Sequence, residues 1–386
     1  MRKHQMQVRL NEAEKEQLEE LAEGNGLSLS SWARMALLKS SREQIEIYGG
    51  GVIHRRTAEL PLVSLFCGPG GLDEGFRQAG FGTVVAIDND EECTRTFRLN
   101  HPEAEVLCAS VNDLEVEDFD RLSGREVAPV GVIGGPPCQS FSVSNVHQRD
   151  DDARHKLPES YARLLKDLNR RNPISFFVFE NVPGLLGKKH KHRYDKFKRL
   201  FQAAGFELFE ELLDAKNYGV PQERQRVFII GINRKLHPDA EWHTPEQENS
   251  IRTVREAIGG LPEPVYNGDA KIPEKFPVHP NHWCLVPRSK KFETGRLKPG
   301  EMWGRSFRTL VWDEPSWTVA YGHREVHVHP KGHRRLSMYE AMRLQTFPHN
   351  YRLTGNLSAQ IRLVSEAVPP RMAWHIAVNI RKSLGF

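Results

Sequence analysis

Apolar and polar positions divide the chain into stretches of different character. Over residues 5–10 they alternate, with Met6, Val8 and Leu10 on one face, which predicts a short extended segment. Asn11 then stands where a helix cap belongs, Leu18 and Leu21 share a face of the helix that follows, and Gly24-Asn25-Gly26 ends it. A second helix is predicted after Ser28, over 29–38, and the three glycines after Tyr48 mark a linker. From Pro61 onward, apolar runs alternate with amphipathic stretches, the pattern of a mostly parallel sheet covered by helices on both faces. Strands are expected at 62–66, 83–87, 130–133, 176–179 and 227–232. Between 235 and 335 the alternation fades into Pro- and Trp-rich sequence holding five of the seven tryptophans, Trp242, Trp283, Trp303, Trp312 and Trp317. Helices return at 337–345 and 370–383. The expected architecture is α/β, with an N-terminal segment (1–45), a linker (46–60), a sheet domain (61–234), an irregular domain (235–333) and a C-terminal part of the sheet domain (334–386).

Composition narrows this little. The 386 residues are 39% hydrophobic and 27% charged, with a formal charge of +4. No apolar run approaches the roughly eighteen residues of a membrane span, so no membrane association is expected. The N-terminus is polar and lacks the apolar core of an export signal. Five cysteines at irregular spacing suit neither a disulfide framework nor a zinc site, and a reducing cytoplasm is the expected compartment.

Candidate chemistry clusters at the strand ends. The first strand runs into Phe66-Cys67-Gly68-Pro69-Gly70-Gly71-Leu72, a glycine turn that lets a ligand lie close to backbone. In a dinucleotide loop counted from Gly68 the third glycine would fall at Asp73. A carboxylate there would repel a pyrophosphate, which favours a ligand without phosphates such as S-adenosylmethionine. Asp88, closing the second strand, is placed to accept both hydroxyls of a ribose. The next strand ends in Gly135-Pro136-Pro137-Cys138-Gln139, where two prolines fix the backbone before a single cysteine, a setting for a nucleophilic thiolate. Cys67, Cys93, Cys108 and Cys284 are expected to be packing residues. Glu180 at the following strand end is a candidate general acid. In Gln222-Glu223-Arg224-Gln225-Arg226, the two arginines share a face if the backbone is extended, so both would point at one oxygen.

Taken in order, these motifs resemble the DNA cytosine C5-methyltransferases of bacterial type II restriction-modification systems. The resemblance runs over about 62–380: the loop Phe66 to Gly71, Pro136-Pro137-Cys138-Gln139, Glu180-Asn181-Val182, Gln222 to Arg226, Arg335-Leu336-Ser337 through Gln345-Thr346-Phe347-Pro348, and Ala367-Val368-Pro369-Pro370. It implies an S-adenosylmethionine-dependent, Rossmann-like methyltransferase sheet with a target recognition domain inserted at the Trp-rich window. It further implies that Cys138 adds to C6 of a flipped-out cytosine, that Glu180 contacts N3 and the exocyclic amine, and that Arg226, with Arg224 and Gln222, holds O2. The cofactor would meet Phe66, Gly68, Gly70, Gly71, Leu72, Asp88, Asn89, Leu157, Ala367 and Val368. Two departures fall on this side: Ser110 stands where the family has an adenine-binding aspartate, unless the alignment slips to Asp113, and Ser365-Glu366 replaces Gly-Asn.

DNA contacts are expected from Gln139, Ser142, Ser144 and Gln222, with 140–154 as a loop closing over the duplex. They are also expected from a basic stretch over 288–308, in which Arg288, Lys290, Lys291, Arg296, Lys298, Arg305 and Arg308 outnumber Glu293 and Glu301 among Phe292, Trp303 and Phe307. His323, His327, His329 and His333 lack metal-ligand spacing and no metal is expected. The strand, helix, helix order of residues 1–42 resembles the ribbon-helix-helix domains, which pair as dimers and read DNA through the strand; Gln5, Gln7 and Arg9 would face bases. The partners implied are double-stranded DNA, a restriction endonuclease that shares the site without having to bind, and a second copy through 1–42. The competing readings are a tRNA cytosine-5 methyltransferase and a DNA-binding regulator acting through 1–42.

Overall fold

The computed structural model of the chain describes residues 60–137, 156–267, 278–293, 295–303, 307–318 and 327–386. The N-terminal segment, the linker except Leu60, and the expected closing loop therefore lie outside the described residues.

The sheet begins with β1 (Pro61–Leu65), the glycine turn and α1 (Gly71–Gln78), then β2 (Gly82–Asp88), α2 (Glu91–Asn100) and β3 (Glu105–Cys108). It continues with α3 (Val116–Ser123), β4 (Gly131–Gly134), α4 (Leu157–Arg171), β5 (Phe176–Asn181), α5 (Lys191–Ala203), β6 (Glu207–Asp214) and β7 (Gln225–Ile232). The strand order is β3-β2-β1-β4-β5-β7-β6, with β1 to β5 parallel and β7 antiparallel to both its neighbours. The α/β expectation is met, and the sequence pattern missed two strands. These are β3 and β6, the two edges. β6 carries four acidic residues and is apolar on only part of its length, so it does not read as a buried run.

Both faces of the sheet are covered. On one, Val63, Leu65, Val132, Phe177 and Phe179 pack against α3, α4 and α5 through Phe119, Tyr161, Leu165, Phe197 and Phe201. On the other, Leu62, Ile133, Phe176, Val178, Phe228 and Ile230 meet α1 and the C-terminal helix α10 (Pro370–Leu384) through Phe76, Met372, Ile376 and Ile380. A hydrogen-bonded sheet supplies the strand ends with fixed positions, and the apolar surface on both faces stabilises it.

Beyond β7 the described elements are short: α6 (Val254–Ile258), β8 (Val265–Asn267), β9 (Trp283–Leu285), α7 (Lys290–Glu293), β10 (Met302–Trp303) and β11 (Phe307–Arg308). α8 (Met338–Leu344) and α9 (Leu357–Glu366) then form a third core with α6. Arg334, fully buried, donates to both oxygens of Glu340 at 2.8 and 2.9 Å and to Glu263 at 2.7 Å, which ties the loop at Glu263 to the capping box of α8. His327 and His329 are packing groups beside it, with pKa values pushed down by burial to about 3 and about 4. Among the described residues, no helix is long and apolar enough to cross a membrane.

Candidate active site

The carboxyl ends of the parallel strands form one edge, and the chain places two groups of expected residues there. In the first, Phe66 and Gly68 both take left-handed backbone at φ 55° and Gly70 does so at 91°, which turns the chain sharply from β1 into α1. The Gly68 N–H donates to Asp88 Oδ2 and the Asp90 N–H to Asp88 Oδ1, each at 2.9 Å, so Asp88 ties the two turns together. Burial raises its pKa, and the two backbone N–H groups act against that shift. A methyl group on Gly68 would meet no atom within 4 Å, so there is open space beside Asp88. Asn89 is exposed in the turn after β2.

Gly71 is closed off where Gly68 is open. A methyl group on it would lie 2.2 Å from the Val368 carbonyl oxygen, so Val368 is pressed against the glycine turn although it is almost three hundred residues away. Tyr351 also reaches this turn and donates its hydroxyl to the Pro69 carbonyl. Leu72 is buried in the core beside Val368. Ser110 lies two residues past the end of β3, its hydroxyl accepting the Asn112 N–H at 3.3 Å as a cap; Asp113, the alternative position, is exposed at the end of that turn. Leu157 is buried at the start of α4.

The second group is fixed by sheet register. Glu180 lies opposite Phe228 in the antiparallel β5/β7 ladder, and Arg226, two residues before Phe228, is its diagonal neighbour on the same face. Arg226 Nε lies 2.9 Å from Glu180 Oε1, with the side chains only 13% and 12% exposed. Burial raises the Glu180 pKa, opposed by the charges of Arg226 and Arg224. Gly135 is what gives the carboxylate room: a methyl group there would sit 2.5 Å from Glu180 Oε2. Asn181, buried beside it, donates to the Pro136 carbonyl at 3.2 Å and holds the Pro-Pro turn against β5. Pro137 is the last described residue before Cys138; Cys138, Gln139, Ser142, Ser144 and Arg305 lie outside the described residues.

Four expectations need correction. Arg224 does not share a surface with Arg226: it precedes β7, is fully buried, and donates from Nη2 to the carbonyls of Ser365 and Ala367, each at 2.9 Å. Gln222, expected at the DNA surface, is fully buried because the segment around Ser316 pairs across it. Asp73 does not face a ligand at the helix start; it accepts from Ser64 at 3.0 Å and Thr83 at 2.7 Å inside the fold. Its carboxylate is therefore not placed to repel a pyrophosphate at the helix start. Cys108 is exposed rather than packed, whereas Cys67, Cys93 and Cys284 are buried, the last with its thiol pKa pushed up by burial to about 12. Of the basic stretch, Arg288, Lys290, Arg296 and Lys298 are exposed, while Lys291 lies over the rings of Phe307 (4.8 Å) and Trp303 (5.3 Å) and Arg308 is half-buried. Gly135 and Asn181 carried no signal in the sequence beyond their place in the motifs.

A family model of the C-5 cytosine-specific DNA methylases matches residues 60–382. The chain belongs to this family. The methylase is 34% identical over 348 residues to a type II methyltransferase of Methanothermobacter thermautotrophicus, covering 84% of this chain and 98% of the relative. It is 32% identical over 349 residues to a type II methyltransferase of Neisseria gonorrhoeae, covering 84% and 96%. Among solved structures, one described as a DNA modification methyltransferase encoded within an Escherichia coli prophage superposes with a TM-score of 0.71 at 25% identity, covering 85% of this chain and all of the other. The methylase is thus a cytosine-5 DNA methyltransferase of the type II group, from a family that typically uses S-adenosylmethionine.

Proposed function

We propose that this methylase transfers a methyl group to C5 of a cytosine flipped out of a specific short duplex site. The observation that carries this is the buried Glu180–Arg226 pair at the carboxyl edge, tied by the Asn181–Pro136 bond to the Pro-Pro turn that precedes Cys138 in the sequence. The roles follow from the chemistry of these groups. C5 of cytosine is a poor nucleophile until electron density is pushed into the ring, so Cys138 as thiolate adds to C6. Glu180, whose burial favours the protonated form, donates to N3 and accepts from the exocyclic amine. Arg226 donates to O2 and stabilises the charge that develops there. Arg224 acts at one remove, holding the carbonyls beside Ala367 and Val368. Removal of the C5 proton then re-forms the double bond and expels the Cys138 thiolate. Because C5 and C6 are stacked within a duplex, the base must leave the helix first.

The open space beside Gly68 and Asp88 suits S-adenosylmethionine, held by Phe66, Gly68, Gly70, Asp88, Asn89 and Ser110 with Leu157, Ala367 and Val368 around it. When bound, it supplies the electrophilic methyl group. Residues 61–234 and 334–386 form the catalytic domain and 235–333 the recognition domain, which reads duplex DNA through the 288–308 stretch. The biological role we infer is protection of host DNA in the cytoplasm from an endonuclease of the same specificity. A second reading concerns residues 1–42: the family match begins at residue 60, and the strand, helix, helix order that the sequence pattern before it predicts suits a dimeric element that binds the gene's own promoter. Unchanged promoter occupancy after deletion of residues 1–45 would end that reading.

Bisulfite sequencing of DNA from cells with and without the gene tests the main proposal. Protected cytosines in one short sequence, lost with Cys138→Ala, are expected. Methylated tRNA with unmodified DNA would refute it.

A further inference from the structure

A second run of exposed basic residues, apart from the 288–308 stretch, follows the strand end that carries Glu180. Immediately after Glu180, Asn181 and a turn at Pro183–Leu186, the chain forms a second turn, Lys188–His190, and then enters α5. Lys188, Lys189, Lys191 and His192 are all exposed. Farther along α5 the lysines are neutralised, Lys196 by Glu159 at 2.6 Å and Lys198 by Glu210 at 2.5 Å. Among the described residues, no carboxylate lies within 4 Å of the ammonium groups of Lys188, Lys189 or Lys191.

The placement is costly to the folded chain. The first turn of α5 has no acidic residue and no side-chain cap, so three lysines crowd the positive end of the helix dipole. Each like charge there is unfavourable when nothing neutralises it. A polyanion lying across Lys188, Lys189 and Lys191 would relieve the repulsion.

Position identifies the polyanion. Lys188 is eight residues from Glu180, and four of the intervening residues are in a tight turn. With a rise of about 2 Å per residue there and about 3.5 Å elsewhere, the two backbone positions are within roughly 22 Å. Duplex DNA carries one charge per roughly 1.7 Å of axis. A duplex presenting a base at Glu180 therefore has phosphates within reach of the lysines. Resting on the reading that the enzyme acts on duplex DNA, we propose that Lys188, Lys189 and Lys191 form a second contact with the phosphate backbone, separate from the 288–308 stretch, that supplies sequence-independent affinity on the β5 side of the target base.

The test is the salt dependence of DNA binding by the full chain, read as the slope of log K against log salt for a methylatable duplex. The triple variant Lys188→Gln, Lys189→Gln, Lys191→Gln is compared with wild type and with a control of equal charge change, Lys166→Gln, Lys235→Gln, Lys382→Gln, whose exposed lysines lie away from this turn. Unchanged urea midpoints establish that all are folded. Loss of three phosphate contacts flattens the slope by about 2.7, and the control stays within about half a unit of wild type. A slope equal to wild type in the test variant overturns the proposal, as does an equal flattening in the control, which would mean that only net charge matters. Wild type that neither methylates nor binds duplex DNA would instead overturn the functional reading, and this proposal with it.

Discussion

Substituting Arg226 by Gln should make the stability of this methylase depend on pH in a defined direction. Arg226 Nε and Glu180 Oε1 are 2.9 Å apart and both side chains are nearly buried. Removing one partner of a fully buried pair costs about 3–5 kcal/mol, mostly from the charge left behind. The residual exposure, and the charge of Arg224 that also lowers the Glu180 pKa, place Arg226→Gln lower, at about 2–3 kcal/mol at pH 8. Burial holds the folded pKa of Glu180 above its unfolded value. Its contribution to stability is therefore full below the unfolded value and is lost as pH rises through the folded one. Removing Arg226 takes away the attraction that restrains the shift, so the penalty is largest at pH 8. It shrinks as pH falls through the range in which Glu180 takes up its proton, leaving about 1 kcal/mol for the lost hydrogen bond. Urea unfolding at pH 8 and pH 5 measures this, with Glu180→Gln and the double variant completing the cycle. At pH 8 the double variant should be more stable than Arg226→Gln alone. An equal penalty at both pH values, with no rescue by Glu180→Gln, would show that Glu180 is not a buried charge dependent on Arg226.

Three further substitutions separate positioning from packing. Gly135→Ala brings a methyl group within 2.5 Å of Glu180 Oε2, the movable end of a side chain; stability should fall by no more than about 1 kcal/mol while methyl transfer falls more than tenfold in a single-turnover assay. Gly71→Ala meets the Val368 backbone carbonyl at 2.2 Å, which cannot step aside; a loss of about 2 kcal/mol or more, with weaker S-adenosylmethionine binding by calorimetry, is expected. Arg224→Met removes the donor to the Ser365 and Ala367 carbonyls and should cost about 3 kcal/mol. It should also weaken cofactor affinity more than affinity for DNA in the absence of cofactor, the reverse of what a base-contacting arginine would give.

What could be read in the sequence follows from burial. β1, β2, β4, β5 and β7 are covered on both faces and appear as apolar runs, whereas the missed strands β3 and β6 are the sheet's two edges, one only four residues long and the other interrupted by four acidic residues. The glycine turn and the Glu180 strand end were legible because each is local. Arg224 was misplaced because its parity with Arg226 suggested a common face, while its partners Ser365 and Ala367 lie 141 and 143 residues away, beyond any local pattern. Asp73 was misread for the same reason: its position in the turn was clear, but its acceptance of Ser64 and Thr83 depends on how α1 lies on the sheet. The lysines at 188–191 were overlooked because a charge run has no meaning until its neighbours are known to leave it unpaired.

The one antiparallel strand, β7, set between β5 and the β6 edge, gives the site its character. A parallel strand after β5 would bring its own carboxyl end to the reactive edge, whereas β7 runs backwards and brings its first residues there, so Arg226 meets Glu180 through ladder register rather than through a loop. The pair is thereby fixed before any base arrives, which is the condition for electrostatic stabilisation without reorganisation. It also changes what arrival of a base does. In the free enzyme Arg226 is the charge that holds the Glu180 proton affinity down. In the proposed reaction the cytosine O2 claims part of that guanidinium, so Glu180 is freer to hold a proton when N3 is in place to share it. The Glu180 proton is thus held more firmly once its own substrate is in place.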